Sequence, residues 1–179
     1  YTTLFRSDRT PVMFNDFVVI GTPDMKAKFA GKSIAEVFKI IETEQIKFVS
    51  RGDKSGTHDK EKGVWKTAVG QTPEKQPWYL EAGQGMIATI NIAAEQKGVT
   101  LTDRGTFIKY EANHKGNPPL VIVYEGADAL KNFYSVIAVN PGRCANTNYK
   151  GALQFIEWIT TDKIQTEIAQ FKLLDKQLF

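Results

Sequence analysis

From Phe17 to Ile20 every residue is apolar, and the run Phe-Val-Val-Ile is preceded by Asn15 and Asp16 and closed by Gly21 and Pro23. Aromatic and β-branched residues without polar alternation suit a strand buried on both faces, so this segment is expected to be an interior parallel strand. The period then changes. Ser33 stands three residues before Glu36 and ahead of Val37, Phe38, Ile40 and Ile41, a capping box that predicts a helix from Ile34 to about Glu44. Ile46 to Ser50 returns to strand, Arg51 to Lys54 is a charged loop, and Ser55 or Thr57 opens a second helix with Asp59 and Glu61 in its first turn.

After Pro73 and Pro77, Trp78-Tyr79-Leu80 reads as a short strand that leads through Gly83-Gln84-Gly85 into a helix carrying Met86, Ile87, Ile90, Ala93 and Ala94 and stopping at Gly98. Further strands are expected at Thr106 to Tyr110, Leu120 to Tyr124 and Tyr134 to Val139, the last ended by Asn140-Pro141-Gly142. Two amphipathic helices close the chain. Tyr149, Leu153, Ile156 and Ile159 recur on one face of the first, and Ile164, Ile168 and Phe171 on the second, with Thr161 as the cap between them. Strands alternating with helices predict an α/β fold.

Composition narrows the classes. With 42% apolar and 24% charged residues, the 179-residue chain is neither disordered nor collagen-like, and its length allows one large domain or two small lobes. A net charge of +3, from 23 basic and 20 acidic residues, is too slight and scattered for nucleic acid. Cys144 stands alone, so neither an intrachain disulfide nor a Cys-based metal site can form. His58 and His114 lack metal-binding spacing and are expected to be solvated. The apolar stretches Leu120 to Tyr124 and Val136 to Val139 fall far short of the roughly 20 residues that span a bilayer. The start at Tyr1, without Met or leader, implies a processed or trimmed chain.

The densest polar cluster is Ser50-Arg51-Gly52-Asp53-Lys54-Ser55-Gly56-Thr57-His58, placed where a strand ends and a helix begins. Ligands of open α/β sheets bind there, and a helix N-terminus offers unpaired N–H groups and partial positive charge, so an anion is the natural guest. Gly56 admits close approach to the backbone, Ser55 and Thr57 bring hydroxyls, and Arg51 brings a planar fork and the full positive charge expected in contact with the anion. All of these are donors. The plainer alternative is a capped helix with a solvated Arg51. Gly83-Gln84-Gly85-Met86 presents a second helix N-terminus after a second strand, either converging on the same anion or forming only a tight turn.

Rival chemistries fit poorly. The phosphate-loop spacing is missing, because Gly56 is followed by Thr57 and not by Lys. Ser55 and His58 lack a nucleophile elbow, so no enzyme activity is expected, and a hydrolase using Ser55 is the rejected alternative. Trp65, Trp78, Tyr79 and Trp158 are expected in core or ligand-wall positions. Asp103 and Arg104 either bring a carboxylate toward the ligand or form an ion pair that stabilises a turn.

Five ordered motifs then carry a resemblance: Pro11 to Gly21, Phe48 to His58, Trp78-Tyr79 through Gly83-Gln84-Gly85-Met86, Leu101 to Thr106, and Val136 to Pro141. Together they resemble the tungstate-binding proteins of bacterial ABC transporters over nearly the whole chain. The resemblance implies a type II periplasmic-binding-protein fold: two α/β lobes joined by two hinge strands, Phe17 to Gly21 and Tyr134 to Val139, with an oxyanion between the lobes. It implies residues 1–20 as the remnant of lobe 1 and the first hinge strand, 21–133 as lobe 2, and 134–179 as the second hinge strand and the return to lobe 1. The resemblance leads one to expect a further N-terminal part of lobe 1, with a Thr/Ser-rich turn, ahead of the segment at Pro11, and Phe14 and Lys54 stand where the family usually has Tyr and Asp.

By the same resemblance Arg51 and Thr57 contact the oxyanion, joined by Ser55, Gly56, Gly83, Gln84, Gly85 and Met86. The ligand implied is tungstate, with molybdate as the alternative, and no cofactor or metal is expected. The expected partner is the membrane permease of the importer, with no nucleic acid, the chain acting as an extracytoplasmic monomer, periplasmic or membrane-anchored. The alternatives are a ligand-sensing domain of a transcription regulator with the same fold, which requires an upstream helix-turn-helix, or a phosphate- or sulfate-type oxyanion binder.

Overall fold

A computed structural model describes residues 6–179. They form β1 (Arg6–Gly21), α1 (Met25–Phe29), α2 (Ile34–Thr43), β2 (Phe48–Ser50), α3 (Gly56–Val69), β3 (Tyr79–Glu81), α4 (Met86–Glu95) and β4 (Thr100–Asp103). Next come α5 (Arg104–Asn113), β5 (Val121–Tyr124), a 3-10 turn (Asp128–Leu130), β6 (Lys131–Val139), α6 (Tyr149–Ile159), α7 (Asp162–Ala169), β7 (Lys172–Leu173) and β8 (Lys176–Gln177). The architecture is mixed α/β. The chain divides into two compact units, one of residues 16–131 and the other of the segment before Asp16 together with Asn132–Phe179.

In the larger unit the alternation of side chains along a strand sorts the core into two layers. Phe17 and Val19 of β1 and Phe48 of β2 face one apolar cluster, with Phe29, Val37, Phe38, Ile41, Trp65, Trp78, Tyr79 and Leu130. Val18 and Ile20 of β1 and Val49 of β2 face the other, with Met86, Ile90, Ala93, Phe107, Tyr110 and Leu120. Trp65 anchors the first layer, its ring 4.6 Å from that of Phe38 and 5.2 Å from that of Phe48. The two-sided burial expected of Phe17 to Ile20 is present, but the strand is not parallel. β1 runs antiparallel to β4, pairing Phe17 with Asp103 and Ile20 with Thr100, and antiparallel to β5 across a register shift between Val19 and Ile20. Burial on two faces reports what covers a strand, and says nothing of its neighbours' direction.

β2 and β3 are the parallel pair, matching Phe48 with Tyr79 and Ser50 with Glu81. On the other side of β2, Phe48 bridges Val99 in parallel. The segment Thr106 to Tyr110, expected as a strand, lies inside α5: Asp103 accepts the Thr106 N–H at 2.8 Å and its hydroxyl at 2.7 Å, and this cap overrides the strand propensity of Thr106, Phe107, Ile108 and Tyr110. α2 carries the full Ser33–Glu36 capping box.

In the smaller unit β6 pairs with β1, Asn132 donates to Asn15 Oδ1 at 2.9 Å, and the Phe14 and Phe133 rings meet at 5.8 Å. Thr161 precedes α7 without a side-chain cap, because its hydroxyl donates back to the Trp158 carbonyl at 2.8 Å. Neither α6 nor α7 has a fully buried residue, and Trp158, expected in a core or ligand-wall position, is 52% exposed and so is not in the core.

Two glycines of the larger unit should respond with opposite signs. A Cβ on Gly98 would stand 2.5 Å from the Lys47 carbonyl oxygen, whereas one on exposed Gly63 in α3 meets nothing within 4 Å. Gly98→Ala should lose about 1–3 kcal/mol and Gly63→Ala should gain about 0.5–1 kcal/mol, read by urea unfolding.

Candidate functional site

The register of β2 and β3 ends both strands at the same rung, and the chain leaves each toward a helix N-terminus: Ser50 toward α3 and Glu81 toward α4. The two outgoing loops touch. Ala82 N–H donates to the Ser50 carbonyl at 2.9 Å, and the space of a Cβ on Gly52 is already taken by Glu81 Cβ at 2.9 Å and Gly83 N at 3.3 Å. Gly52 also has φ +61, a left-handed conformation that glycine adopts freely. The turn at Ser50–Gly52, which leads on to α3, therefore lies against the turn at Glu81–Gly83, which leads on to α4, on one edge of the larger unit.

The helix ends differ. Ser55 is the N-cap of α3 and accepts the His58 N–H at 3.4 Å, so the N–H groups of Gly56 and Thr57 point out of the helix end. α4 begins after Gly85 with no side-chain cap at all. Gly83, Gln84 and Gly85 are exposed, whereas the Met86 side chain is buried in the second apolar layer and offers the edge only its backbone.

Arg51 is half-buried and held on two sides. Nη2 lies 2.8 Å from Asp53 Oδ2, and Nη1 donates to Thr57 Oγ1 at 3.3 Å. Its Nε is buried and has no partner among the described residues. The solvated-arginine alternative therefore does not describe it. Beside these donors the loop holds an acceptor, Asp53, which accepts from Arg51 and from the Ser55 N–H at 3.1 Å. Hydrogen bonds from Ser55, aided by the Arg51 charge, hold the Asp53 carboxyl below the usual carboxylate range.

His58, expected in solvent, is 5% exposed. Its Nδ1 accepts the Lys54 N–H at 3.1 Å, which assigns the ring hydrogen to Nε2, itself buried without a partner. His114 is exposed beside the Tyr110 ring, at 4.5 Å. Asp103 and Arg104 do not pair with each other: Asp103 caps α5, and Arg104 takes Asp16 with two bonds of 2.6 Å and Glu125 with one. Among the described residues no group of His, Cys, Asp and Glu could hold a metal ion, and no helix is long and apolar enough to cross a membrane.

Beneath the loop lies Glu61, a residue that motif reasoning passed over as a helix-start acid. Positions 57, 58, 61, 64 and 65 form the buried face of α3, and a carboxylate within that stripe is the signal that would have marked it. Tyr79 donates to its Oε1 at 2.6 Å and Ser50 to its Oε2 at 2.8 Å. Burial pushes its carboxyl up to about 7 against these hydrogen bonds.

A family model described as the PBP superfamily domain matches residues 2–163. The chain is 59% identical over 175 residues to the tungstate-binding protein TupA of Campylobacter jejuni, an alignment covering 98% of this chain and 65% of that protein. The chain thus spans slightly less than two thirds of that relative's length. The solved tungstate-binding protein TupA of Desulfovibrio alaskensis G20 shares 48% identity at a TM-score of 0.92, covering 98% of this chain and 70% of the other. A Wolinella succinogenes periplasmic protein, solved as a LysR substrate-binding domain, shares 70% identity at a TM-score of 0.77 over 94% of this chain and 71% of its own.

Packing at the edge yields a ligand-independent expectation. Gly52→Ala should cost about 2 kcal/mol or more, from the left-handed backbone and the contact with Glu81. Gly56→Ala, with nothing within 4 Å of the new Cβ, should stay within about 0.5 kcal/mol of the parent in thermal or urea unfolding.

Proposed function

We propose that this chain, which belongs to the PBP superfamily and within it to the family of the tungstate-binding proteins, is the solute-binding component of an ABC importer and captures tungstate at the ends of β2 and β3. One observation carries the reading. Two parallel strands end on one rung, each feeds a helix N-terminus, and the Arg51 guanidinium beside the first of these keeps a buried Nε without a partner among the described residues. Tungstate is a tetrahedral dianion without a proton at neutral pH, which suits a ring of backbone N–H groups and one Arg.

The roles follow from which hydrogens remain. Arg51 offers its Nε–H and the outer edge of its fork. Thr57 Oγ1 already accepts from Arg51, so its hydrogen can turn to the ligand. Ser55 serves Asp53 through both its hydroxyl and its N–H, so its hydroxyl must turn from Asp53 to reach the ligand. Gly56, Gly83, Gln84, Gly85 and Met86 offer backbone N–H groups, the glycines also leaving room for the oxygens. Asp53 is an acceptor already engaged by Arg51 and Ser55, so it orients the fork and offers little to the proton of hydrogen phosphate.

Within this reading the whole protein has the two-lobed type II periplasmic binding fold, with β1 and β6 containing the hinge strands and residues 21–133 forming lobe 2. It is a binding protein and not an enzyme, acts outside the cytoplasm, and delivers its cargo to a membrane permease. Molybdate, the same shape and charge, is the competing cargo. The name of the Wolinella relative favours a second reading, the sensing domain of a regulator; a DNA-binding segment encoded upstream would decide for it, and a secretion or lipoprotein leader against it.

Calorimetry on the full-length protein should show tight tungstate binding with sulfate and phosphate at least about a hundredfold weaker. Phosphate binding without a tungstate response overturns the proposal. Charge-assisted hydrogen bonds contribute about 1.5–3 kcal/mol, so Arg51→Ala should weaken tungstate binding by one to two decades, Arg51→Lys should recover part of that, and Thr57→Ala should cost less. Gly56→Ala should weaken binding while leaving the unfolding curve in place.

A further inference from the structure

Glu61 takes no part in the proposed contacts, yet it holds both strands that make them. It stands one turn beyond Thr57 on α3 and is 1% exposed. Its carboxyl takes the Ser50 hydroxyl from β2, the Tyr79 hydroxyl from β3 and the backbone N–H of Arg51. Ser50 Oγ in turn accepts the Gly52 N–H at 3.2 Å. A continuous chain of hydrogen bonds therefore runs from the buried carboxyl to the turn where the two loops touch. Its members are hydroxyls and backbone N–H groups, not a cation, so an ionised Glu61 keeps its charge beneath a site that receives a dianion.

We propose that Glu61 is a positioning residue for oxyanion binding and the site's proton acceptor: it fixes the Ser50–Gly52 turn through Ser50, and it takes up a proton when the dianion arrives. The inference rests on the binding function proposed above. Bringing two negative charges toward a buried carboxylate favours its neutral form. The proton passes from a buffer acid to a carboxylate oxygen, and the charge of the group goes from −1 to 0. The new O–H needs an acceptor, and either hydroxyl serves, because Ser and Tyr oxygens accept as well as donate. One of the two hydrogen bonds then reverses and the turn stays held. Burial already brings the carboxyl to about 7 without a ligand, so the proton is accessible near neutral pH.

The groups around Glu61 bear on the sign. β2 and its loop bring Ser50 and Arg51, the latter paired with Asp53. β3 brings Tyr79, whose phenol is raised by burial first and then by the charges of Glu61 and of Glu81 two residues on. On α3 stand His58 and Trp65. α2 brings the apolar ring of Phe38 against Trp65, and on β4 Asp103 is engaged by Thr106. A bound dianion raises the Glu61 pKa, so the protonated form binds more tightly and affinity rises as pH falls.

The experiment is tungstate calorimetry on the full-length protein between about pH 6 and 9, in buffers of different ionisation enthalpy, which count the protons taken up. The parent should take up protons on binding and lose about tenfold or more in affinity across the range, since one unit of pKa shift is a factor of ten. Glu61→Gln should lose most of the slope and the uptake, and Glu61→Ala should bind weakly at every pH because the turn is released. Tyr79→Phe removes a donor to the carboxylate and should move the midpoint to higher pH, which keeps the test decisive if Glu61→Gln folds poorly. A parent that binds tungstate with no proton uptake overturns the inference, as does a Glu61→Gln variant that keeps the full slope. A parent that does not bind tungstate at all instead removes the function proposed above.

Discussion

The ladder between β2 and β3 is the constraint on which the site depends. Parallel neighbours cannot be joined by a tight turn, so the chain must cross over through a helix before it returns. With Ser50 opposite Glu81, the crossover helix α3 leaves from the end of β2 and α4 leaves from the matching end of β3. Both helix N-termini therefore emerge at one edge as a consequence of topology, before any side chain is chosen. Neighbouring strands are only about 4.8 Å apart, so the two outgoing loops compete for the same volume. Gly52, whose missing Cβ is replaced by Glu81 and Gly83, is how the sequence resolves that competition.

The two apolar layers keep this edge rigid. Phe48 is locked among Phe38, Trp65 and the parallel ring of Tyr79, and Val49, the next residue, is held by the opposite layer. A displacement of β2 would disturb both layers at once, and close-packed interiors resist such shifts. Tyr79 joins packing to polarity: its ring belongs to the first layer, while its hydroxyl reaches the buried carboxyl of Glu61. The positions of the donors at the edge are thus inherited from the core.

Much of this could be read from the chain itself. The capping box at Ser33, the cap at Ser55 and the repetition of strand, loop and helix are local signals, written in residues that interact within a turn or two. What was misread depends on distant partners or on competition between signals. The direction of β1's neighbours is set by β4 and β5, far along the chain. α5 was hidden by residues that favour strands, although Asp103 three positions before Thr106 carried the opposing signal. The edge loops were legible as donors because their glycines and hydroxyls are consecutive. Asp53 as an acceptor, His58 as a buried ring and Glu61 as the support beneath were not, since each role is defined by burial. The apolar stripes of α6 and α7 were read correctly as periodic, yet periodicity reports only that a face is apolar, and neither helix has a fully buried residue.

Two carboxylates in the proposed anion site look electrostatically costly, and the geometry accounts for them. Full charges are strong but mobile on long side chains, whereas backbone N–H groups at a helix end are weaker, fixed and numerous. Such donors gain from being held in place more than from added cationic charge, because a preorganised dipole needs no rearrangement when the ligand arrives. Asp53 spends its charge on orienting the Arg51 fork, and Glu61 spends its own on Ser50 and the turn behind Gly52. Each carboxylate lowers the local potential while fixing donors that act at contact distance. At contact a hydrogen bond outweighs a screened charge further off, so order at the edge counts for more than net charge. The chain's slight overall charge of +3 is consistent with that: in the proposed site attraction for an oxyanion is built locally, by direction, and not by the field of the whole molecule.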